Sequence, residues 1–104
     1  MVLHMKLRDK VAIITGGGRG IGKAVAEGFV REGARVVIAS EIEDELAQVS
    51  KEIGVDYLKT DVTQISEVEQ LIKHTVSTHG EIGVLINAAG MQTPIGSVLN
   101  VSAT

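Results

Sequence analysis

Short apolar runs alternate with longer amphipathic segments along this 104-residue chain. The apolar runs are continuous stretches of Val, Ile, Leu and Ala, a pattern typical of parallel strands that are buried on both faces. They predict four strands, the third of them weak, at residues 11–15, 35–40, 57–59 and 84–87. Because the chain has one phenylalanine and one tyrosine, aliphatic side chains must form nearly all of the core.

In the first two segments between these runs, apolar residues recur at the spacing of one helix face. The first predicted helix starts at Ile21, places small and apolar residues on one face, and ends near a glycine cap at Gly33. The second helix ends at Gly54 and carries an apolar stripe formed by Ile42, Leu46, Val49 and Ile53.

The third gap predicts a helix with its own start signal. Ser66 and Glu69 have the spacing of a capping box, in which each side chain binds a backbone N–H of the first turn. The helix is expected to end before Gly80. It is also expected to bury Val68, Leu71, Ile72 and Val76.

The resulting element order is β-α-β-α-β-α-β. Parallel strands joined by right-handed helical crossovers are almost the only arrangement compatible with that order. We therefore predict an α/β, Rossmann-like parallel sheet in the strand order 3-2-1-4, with helices on both faces. The chain is expected to be a single partial domain over residues 1–104, truncated after strand four, with a poorly defined segment at 91–104.

Composition excludes several function classes. Thirteen acidic and ten basic residues give a net charge of -3, so nucleic acid is not an expected partner. The absence of cysteine excludes disulfides and thiolate metal ligands. His74 and His79 are five positions apart, which does not favour a metal site. Without a signal-like or membrane-length apolar run, the expectation is a cytoplasmic protein with no membrane partner.

The clearest chemical motif is the glycine-rich segment T-G-G-G-R-G-I-G at residues 15–22, between the first strand and the first helix. Glycines in this position allow a tight turn, close approach of a pyrophosphate, and close packing of helix on strand. Helix N–H groups then face the phosphates. Glu41 follows nineteen residues after Gly22, near the place of an acidic residue that holds an adenosine ribose. The alternative is a purely structural turn.

Three motifs together resemble the short-chain dehydrogenase/reductase family. The spacing T-G-x-x-x-G-x-G is filled by Thr15, Gly16, Gly20 and Gly22. Residues 60–62, T-D-V, resemble the family segment whose aspartate contacts adenine. Residues 87–90 resemble the family's N-N-A-G, with Ala88 in place of the second Asn. The resemblance covers roughly residues 7 to 100 and implies a bound nicotinamide dinucleotide.

The same resemblance implies a role for individual residues. The pyrophosphate and adenosine would be surrounded by Gly16, Arg19, Gly20, Ile21 and Gly22. Asp61 and Val62 would flank the adenine. The nicotinamide-side ribose would lie against Asn87, Ala88, Ala89 and Gly90. Asp61 could instead be a helix-entry residue, and Asn87 could cap the end of its strand as well as contact the ribose.

The end of the second strand bears on the choice of cofactor. Family members that use NAD usually carry an acidic residue there, and those that use NADP carry a basic one. Here Ser40 is followed by Glu41, whose carboxylate would repel a 2′-phosphate, so NAD is favoured over NADP. Arg19 opposes this preference. Glu41 could also belong to the acidic start of the second helix.

The family's catalytic tyrosine, with a lysine four residues later, is not matched in this sequence. The one tyrosine, Tyr57, lies on predicted strand three, and Asp61 stands four residues after it. We therefore assign no catalytic residue and expect no turnover by this chain alone. Three hypotheses remain: the cofactor-binding half of an oxidoreductase, a stand-alone nucleotide-binding module, or a structural remnant. An exposed sheet edge or apolar helix faces would favour homo-oligomers.

Overall fold

A computed structural model describes residues 7–18 and 20–88 of the chain. It contains every strand and helix predicted above. The elements are β1 (Val11–Thr15), α1 (Gly20–Arg31), β2 (Arg35–Ser40), α2 (Glu43–Ile53), β3 (Asp56–Lys59), α3 (Ile65–His79) and β4 (Ile82–Asn87). The segment predicted to be poorly defined, 91–104, lies outside the described residues.

The four strands form one parallel sheet in the order β3-β2-β1-β4, which confirms the predicted topology. Thr15 at the end of β1 is aligned with Ala39 on one side and with Asn87 on the other. Ser40 is aligned with Lys59 at the end of β3. Because all the strands run in the same direction, their carboxyl ends meet at one edge of the sheet.

The core has a layer on each face of this sheet. On one face, α1 and α2 pack Ala26, Leu46 and Val49 against alternate residues of β1 and β2. On the other face, α3 packs Leu71 against Ile13, Val37 and Ala39. Burying each aliphatic side chain contributes about 1.5 to 3 kcal/mol, and β1 is buried along its whole length.

The predicted capping box at the start of α3 is wrong. The helix begins at Ile65 with Gln64 as its N-cap, and Ser66 therefore lies inside the first turn. Gln64 makes no side-chain capping bond, but its N–H donates to the carbonyl of Asp61 at 3.0 Å. Asp61, two residues after β3, starts a tight turn that begins the helix earlier than the serine motif predicts.

Two apolar residues of the predicted stripes are exposed. Val76 is 47% exposed, and the buried position on the last turns of α3 belongs to Thr75, whose hydroxyl donates to the Leu71 carbonyl at 2.8 Å. The buried face runs through Val68, Leu71 and Thr75, and Val76 is turned one residue away from it. Ile42 is 43% exposed because it caps α2 from outside the helix.

No helix in the described ranges combines the length and the apolar character needed to cross a bilayer. The cytoplasmic location inferred from the sequence stays a prediction.

Candidate functional site

The glycine-rich turn joins β1 to α1 at the carboxyl edge of the sheet. Gly16 and Gly20 have φ angles of 71° and 60°, in the left-handed region that side-chain-bearing residues rarely adopt. The N–H of Gly16 donates to the carbonyl of Ala39 at 2.7 Å, which ties the start of the turn to the neighbouring strand. The turn therefore leaves the sheet abruptly and enters the helix within a few residues.

Close backbone packing fixes the first turn of α1 over the end of β1. A Cβ atom on Gly22 would lie 1.9 Å from the carbonyl oxygen of Gly16, and one on Gly17 would lie 2.6 Å from Cγ2 of Ile38. The first N–H groups of a helix lack acceptors within it and carry partial positive charge. The first turn of α1 contains no acidic residue. Its N-terminus is thus suited to an anion.

Helix α2 borders the turn on its outer side. A Cβ atom on Gly18 would lie 3.1 Å from Cβ of Glu45, so the two segments are nearly in contact. A groove of about 310 Å³ between α1 and α2 adjoins Gly18 and contains the ion pair between Lys23 Nζ and Glu52 Oε1, at 2.9 Å. This pair lowers the pKa of the Glu52 carboxyl and raises that of the Lys23 ammonium.

The ends of β2 and β3 bring two carboxyl groups together. Ser40 uses its hydroxyl oxygen to accept the N–H of Ile42 at 3.2 Å, which directs the chain into α2. Glu41 is exposed and is close enough to Asp61 for a hydrogen bond between the two carboxyl groups. The negative charge of Asp61 raises the pKa of the Glu41 carboxyl, and hydrogen bonds from Thr63 lower the pKa of Asp61.

Asp61 has the helix-entry role that was the alternative to an adenine contact. Its Oδ1 atom accepts the Thr63 N–H at 3.0 Å and the Thr63 hydroxyl at 2.6 Å. Its own N–H donates to Oε1 of Glu67 at 2.8 Å, and Val62 beside it is buried against Val68. These bonds hold the Asp61 carboxyl in a fixed place. Its contact with adenine stays a prediction.

The end of β4 is tied to the end of β1. The buried hydroxyl of Thr15 donates to Oδ1 of Asn87 at 2.9 Å, and the N–H of Ala88 donates to the Thr15 carbonyl at 3.1 Å. Asn87 itself is exposed at the edge of the sheet. Sequence reasoning missed this bond, as well as those of Glu67 and Glu41 to Asp61, because strand register and loop geometry cannot be read from spacing.

Most of the predicted site residues share the carboxyl edge of the sheet. The structure places there Gly16, Gly20, Ile21, Gly22, Ser40, Glu41, Asp61, Val62, Asn87 and Ala88. Ile21 is 77% exposed, which leaves its side chain available to a ligand. Arg19, Ala89 and Gly90 lie outside the described residues, so their roles stay predictions.

A second polar cluster lies at the opposite edge of the sheet. Nε2 of His74 and Nε2 of His79 approach the same oxygen of Asp56, Oδ2, at 2.7 and 2.9 Å. Oδ1 of Asp56 accepts the Tyr57 N–H at 2.8 Å. Although burial opposes it, this hydrogen bonding lowers the pKa of Asp56. Nowhere in 7–18 or 20–88 do three His, Cys, Asp or Glu side chains form a group that could hold a metal ion.

Comparison with known proteins identifies the family. A family model described as short chain dehydrogenase matches residues 10–103. Short-chain dehydrogenase reductase 5 of Arabidopsis thaliana is 42% identical over 99 residues, which cover 91% of this chain and 38% of that protein. Mitochondrial borneol dehydrogenase of Lavandula x intermedia is 44% identical over 87 residues, covering 83% and 33%. The chain belongs to the short-chain dehydrogenase family, as the three motifs predicted.

Solved structures agree with this assignment. A short chain dehydrogenase from Mycobacterium smegmatis superposes with a TM-score of 0.80 at 35% identity, over 85% of this chain and 40% of the other. A variant of actinorhodin polyketide ketoreductase with NADPH gives a TM-score of 0.75 at 33% identity, over 79% and 33%. The chain thus spans about two fifths or less of the length of these relatives. Members of the family bind nicotinamide cofactors.

Proposed function

We propose that this chain binds a nicotinamide dinucleotide and supplies the cofactor-binding half of an oxidoreductase. The observation that carries the proposal is the packing of Gly22 on the Gly16 carbonyl, since it brings the start of α1 over the end of β1. Oriented N–H groups at a helix N-terminus, reached through glycines without side chains, bind pyrophosphate in dinucleotide-binding folds. The family assignment supports the same ligand.

Each part of the ligand has a place in this proposal. The pyrophosphate lies over Gly16, Gly20 and the first turn of α1, with Arg19 beside it. The adenosine lies between the ends of β2 and β3, where Ser40, Glu41, Asp61 and Val62 meet. The ribose on the nicotinamide side lies against the end of β4, at Asn87, Ala88, Ala89 and Gly90.

We propose that NAD is preferred over NADP. Glu41 is the acidic residue that directly follows β2, and its exposed carboxylate can accept hydrogen bonds from the ribose hydroxyls. The 2′-phosphate of NADP would meet the same carboxylate and be repelled by it. Asp61 lies next to Glu41 and adds to the negative charge in this region.

Calorimetric titration of the chain with NAD and with NADP tests this assignment. We expect NAD to bind more tightly, and the Glu41→Arg variant to reverse the preference by pairing with the 2′-phosphate. Glu43→Arg makes the same charge change in the exposed first turn of α2 and should leave the preference as it was. Failure of both dinucleotides to bind would overturn the function, whereas an unchanged preference in Glu41→Arg would overturn only the role of Glu41.

We further propose that these 104 residues do not catalyse hydride transfer by themselves. The one tyrosine, Tyr57, lies in the middle of β3 and packs against the core beneath α1 and α2, away from the carboxyl edge of the sheet. The residue four positions after it, Asp61, is not a lysine. Purified chain supplied with NAD and a panel of alcohols should show no cofactor-dependent turnover, and sustained reduction of NAD would contradict the proposal.

A stand-alone, self-associating module is the second candidate. In the described part of the sheet β4 is an edge strand, and Val84, Leu85 and Ile86 on it are only partly buried. Ile65 and Val76 on α3 are about half exposed. Apolar surface of this kind favours pairing between copies. Sedimentation analysis would support this candidate if the chain forms dimers, and a monomer would rule out self-association.

A further inference from the structure

Glu41 and Asp61 leave the sheet side by side. Ser40 and Lys59 are register partners at the ends of β2 and β3, and the N–H of Thr60 donates to the Ser40 carbonyl at 2.8 Å. Glu41 follows Ser40 directly after the end of β2, and Asp61 follows Thr60 after the end of β3. The parallel ladder therefore fixes the spacing of their backbones. Their carboxyl groups lie within hydrogen-bonding reach of each other.

Asp61 is the fixed member of this pair. Its Oδ1 atom is held by two donors of Thr63, and its backbone lies between the buried residues Thr60 and Val62. The Glu41 side chain is exposed, has one more rotatable bond, and can turn towards a ligand. A ligand that reaches this edge would thus draw Glu41 away from Asp61 and leave the Asp61 turn intact.

A hydrogen bond between two carboxyl groups requires one proton. Thr63 stabilises the ionised form of Asp61 and so lowers its pKa, while the charge of Asp61 raises the pKa of Glu41. The shared proton therefore belongs to Glu41. Among residues 7–18 and 20–88, the other charged groups that face Glu41 are Glu67 of α3, which acts in the same direction as Asp61, and Lys59 of β3, which acts against it.

We propose that Asp61 is a specificity-determining residue that acts through Glu41, by controlling whether Glu41 meets the adenosine ribose as a carboxylate or as a neutral acid. This inference rests on the proposed function. When Glu41 is protonated, NAD binding breaks its hydrogen bond to Asp61, the proton passes to solvent, and the new carboxylate accepts a ribose hydroxyl. A neutral Glu41 no longer repels a 2′-phosphate and can donate a hydrogen bond to it.

The preference for NAD over NADP should therefore weaken as the pH falls. For the unaltered chain we expect the preference, measured as the ratio of the two dissociation constants, to fall about threefold between about pH 8 and about pH 5, as Glu41 takes up a proton. In Asp61→Asn, the amide oxygen still accepts the Thr63 bonds, and the amide N–H donates to the Glu41 carboxylate. This variant should keep its preference for NAD down to lower pH.

Two further variants and a ligand-free measurement complete the test. Asp44→Asn removes one exposed charge from the first turn of α2 and should follow the unaltered chain at every pH. Glu41→Gln should keep only the pH dependence that comes from the 2′-phosphate of NADP, which itself titrates near about pH 6, because the Glu41 carboxyl is gone. Carbon-13 NMR of the side-chain carboxyls should show Glu41 in the ligand-free chain titrating at higher pH than Glu41 in Asp61→Asn. Circular dichroism at each pH verifies that every variant is folded.

The outcomes separate the inference from the proposed function. If the dinucleotides bind but Asp61→Asn has the pH profile of the unaltered chain, the role of Asp61 is overturned and the dinucleotide site stands. The same conclusion follows if Glu41 titrates identically in both chains. If neither dinucleotide binds at any pH while Glu41 still responds to Asp61→Asn, the carboxyl pair is real and the proposed function, with the specificity role, is overturned.

Discussion

Two aspartates near opposite ends of β3 have contrasting surroundings. Asp56 begins the strand, and its carboxylate receives hydrogen bonds from His74, His79 and the Tyr57 N–H. Asp61 follows the other end of the strand, and beyond its Thr63 donors it faces another carboxyl group, that of Glu41. The first aspartate is surrounded by complementary donors, and the second adjoins a like charge.

This contrast distinguishes a structural cluster at the start of β3 from the region proposed above to bind the dinucleotide. Complementary partners at Asp56 hold the last turns of α3 against the start of β3. The same helix carries Glu67 near its other end, where it binds the Asp61 N–H. Two like charges held close together are unfavourable in a folded protein, and such groups are concentrated at functional sites. The carboxyl edge is therefore a better candidate for a ligand site than the edge that carries Asp56.

The largest effect is expected from Gly22→Ala, which tests the packing at the carboxyl edge. The added Cβ would lie 1.9 Å from the carbonyl oxygen of Gly16. This oxygen belongs to the backbone, which cannot move aside as readily as a side chain. We expect a loss of about 3 kcal/mol in the free energy of unfolding, the upper range for overpacking. Dinucleotide binding should also disappear, because α1 must shift away from the turn. Urea unfolding and calorimetry measure the two effects.

Gly28→Ala is the matched control in the same helix. The nearest atom to its added Cβ is Nη2 of Arg31, at 3.8 Å, so there is room for the methyl group. Replacing a mid-helix glycine by alanine should stabilise the chain by about 0.5 to 1 kcal/mol and leave ligand affinity unchanged. If the Gly22 and Gly28 variants behaved alike, close packing would not explain the glycine at position 22.

Asp56→Asn tests the hydrogen-bonded cluster at the start of β3, the end of the strand farther from Asp61. Both histidines would then donate to a neutral amide oxygen, and we expect a loss of about 1 to 2 kcal/mol because hydrogen bonds to charged groups are the stronger kind. Dinucleotide binding should change little, since the cluster lies at the far edge of the sheet. Asp9→Asn is the control at the same edge, because Asp9 is exposed and stands 4.0 Å from Arg35.

The contribution of Asp56 to the free energy of unfolding should decrease as the pH falls. Its pKa in the folded chain is lowered from an ordinary value of 3.8, so the ionised form stabilises the fold. That contribution is complete above the pKa of the unfolded chain and is lost as the pH falls through the lower folded value. The stability difference between the unaltered chain and Asp56→Asn should thus shrink as the pH falls below about pH 4. A difference that grew in acid would contradict this role.

Thr15→Val probes the tie between β1 and β4 at the carboxyl edge. The change preserves shape and removes the donor to Asn87, and we expect a loss of about 1 kcal/mol, typical of one hydrogen bond. Thr75→Val is the matched control, because its hydroxyl donates to a carbonyl within the same helix and joins no two elements. Equal losses in thermal or urea unfolding would show that the tie between the strands adds nothing.

The same contrast shows which features of the structure could be predicted from the sequence and which could not. Continuous apolar runs predicted the strands and helical stripes predicted the helices, because burial leaves these patterns in residues such as Ile13 and Leu71. The sheet topology followed from the alternation of strands and helices. The glycine motif located the turn. The side-chain bonds at either end of β3 were not predicted. His74 and His79 meet at Asp56 only after α3 packs back on the sheet, and Glu41 meets Asp61 only through strand pairing.

The smallest effect, expected for Ser66→Ala, separates the observed start of α3 from the one predicted by the sequence. If Ser66 capped the helix, its loss would cost about 1 kcal/mol. In the structure Ser66 is exposed in the first turn after Gln64, so alanine should leave stability unchanged or raise it by a few tenths of a kcal/mol. Urea unfolding resolves the two cases. A clear loss would place the helix start at Ser66 and remove the reason for the Asp61 turn, and with it the fixed position on which the pairing with Glu41 depends.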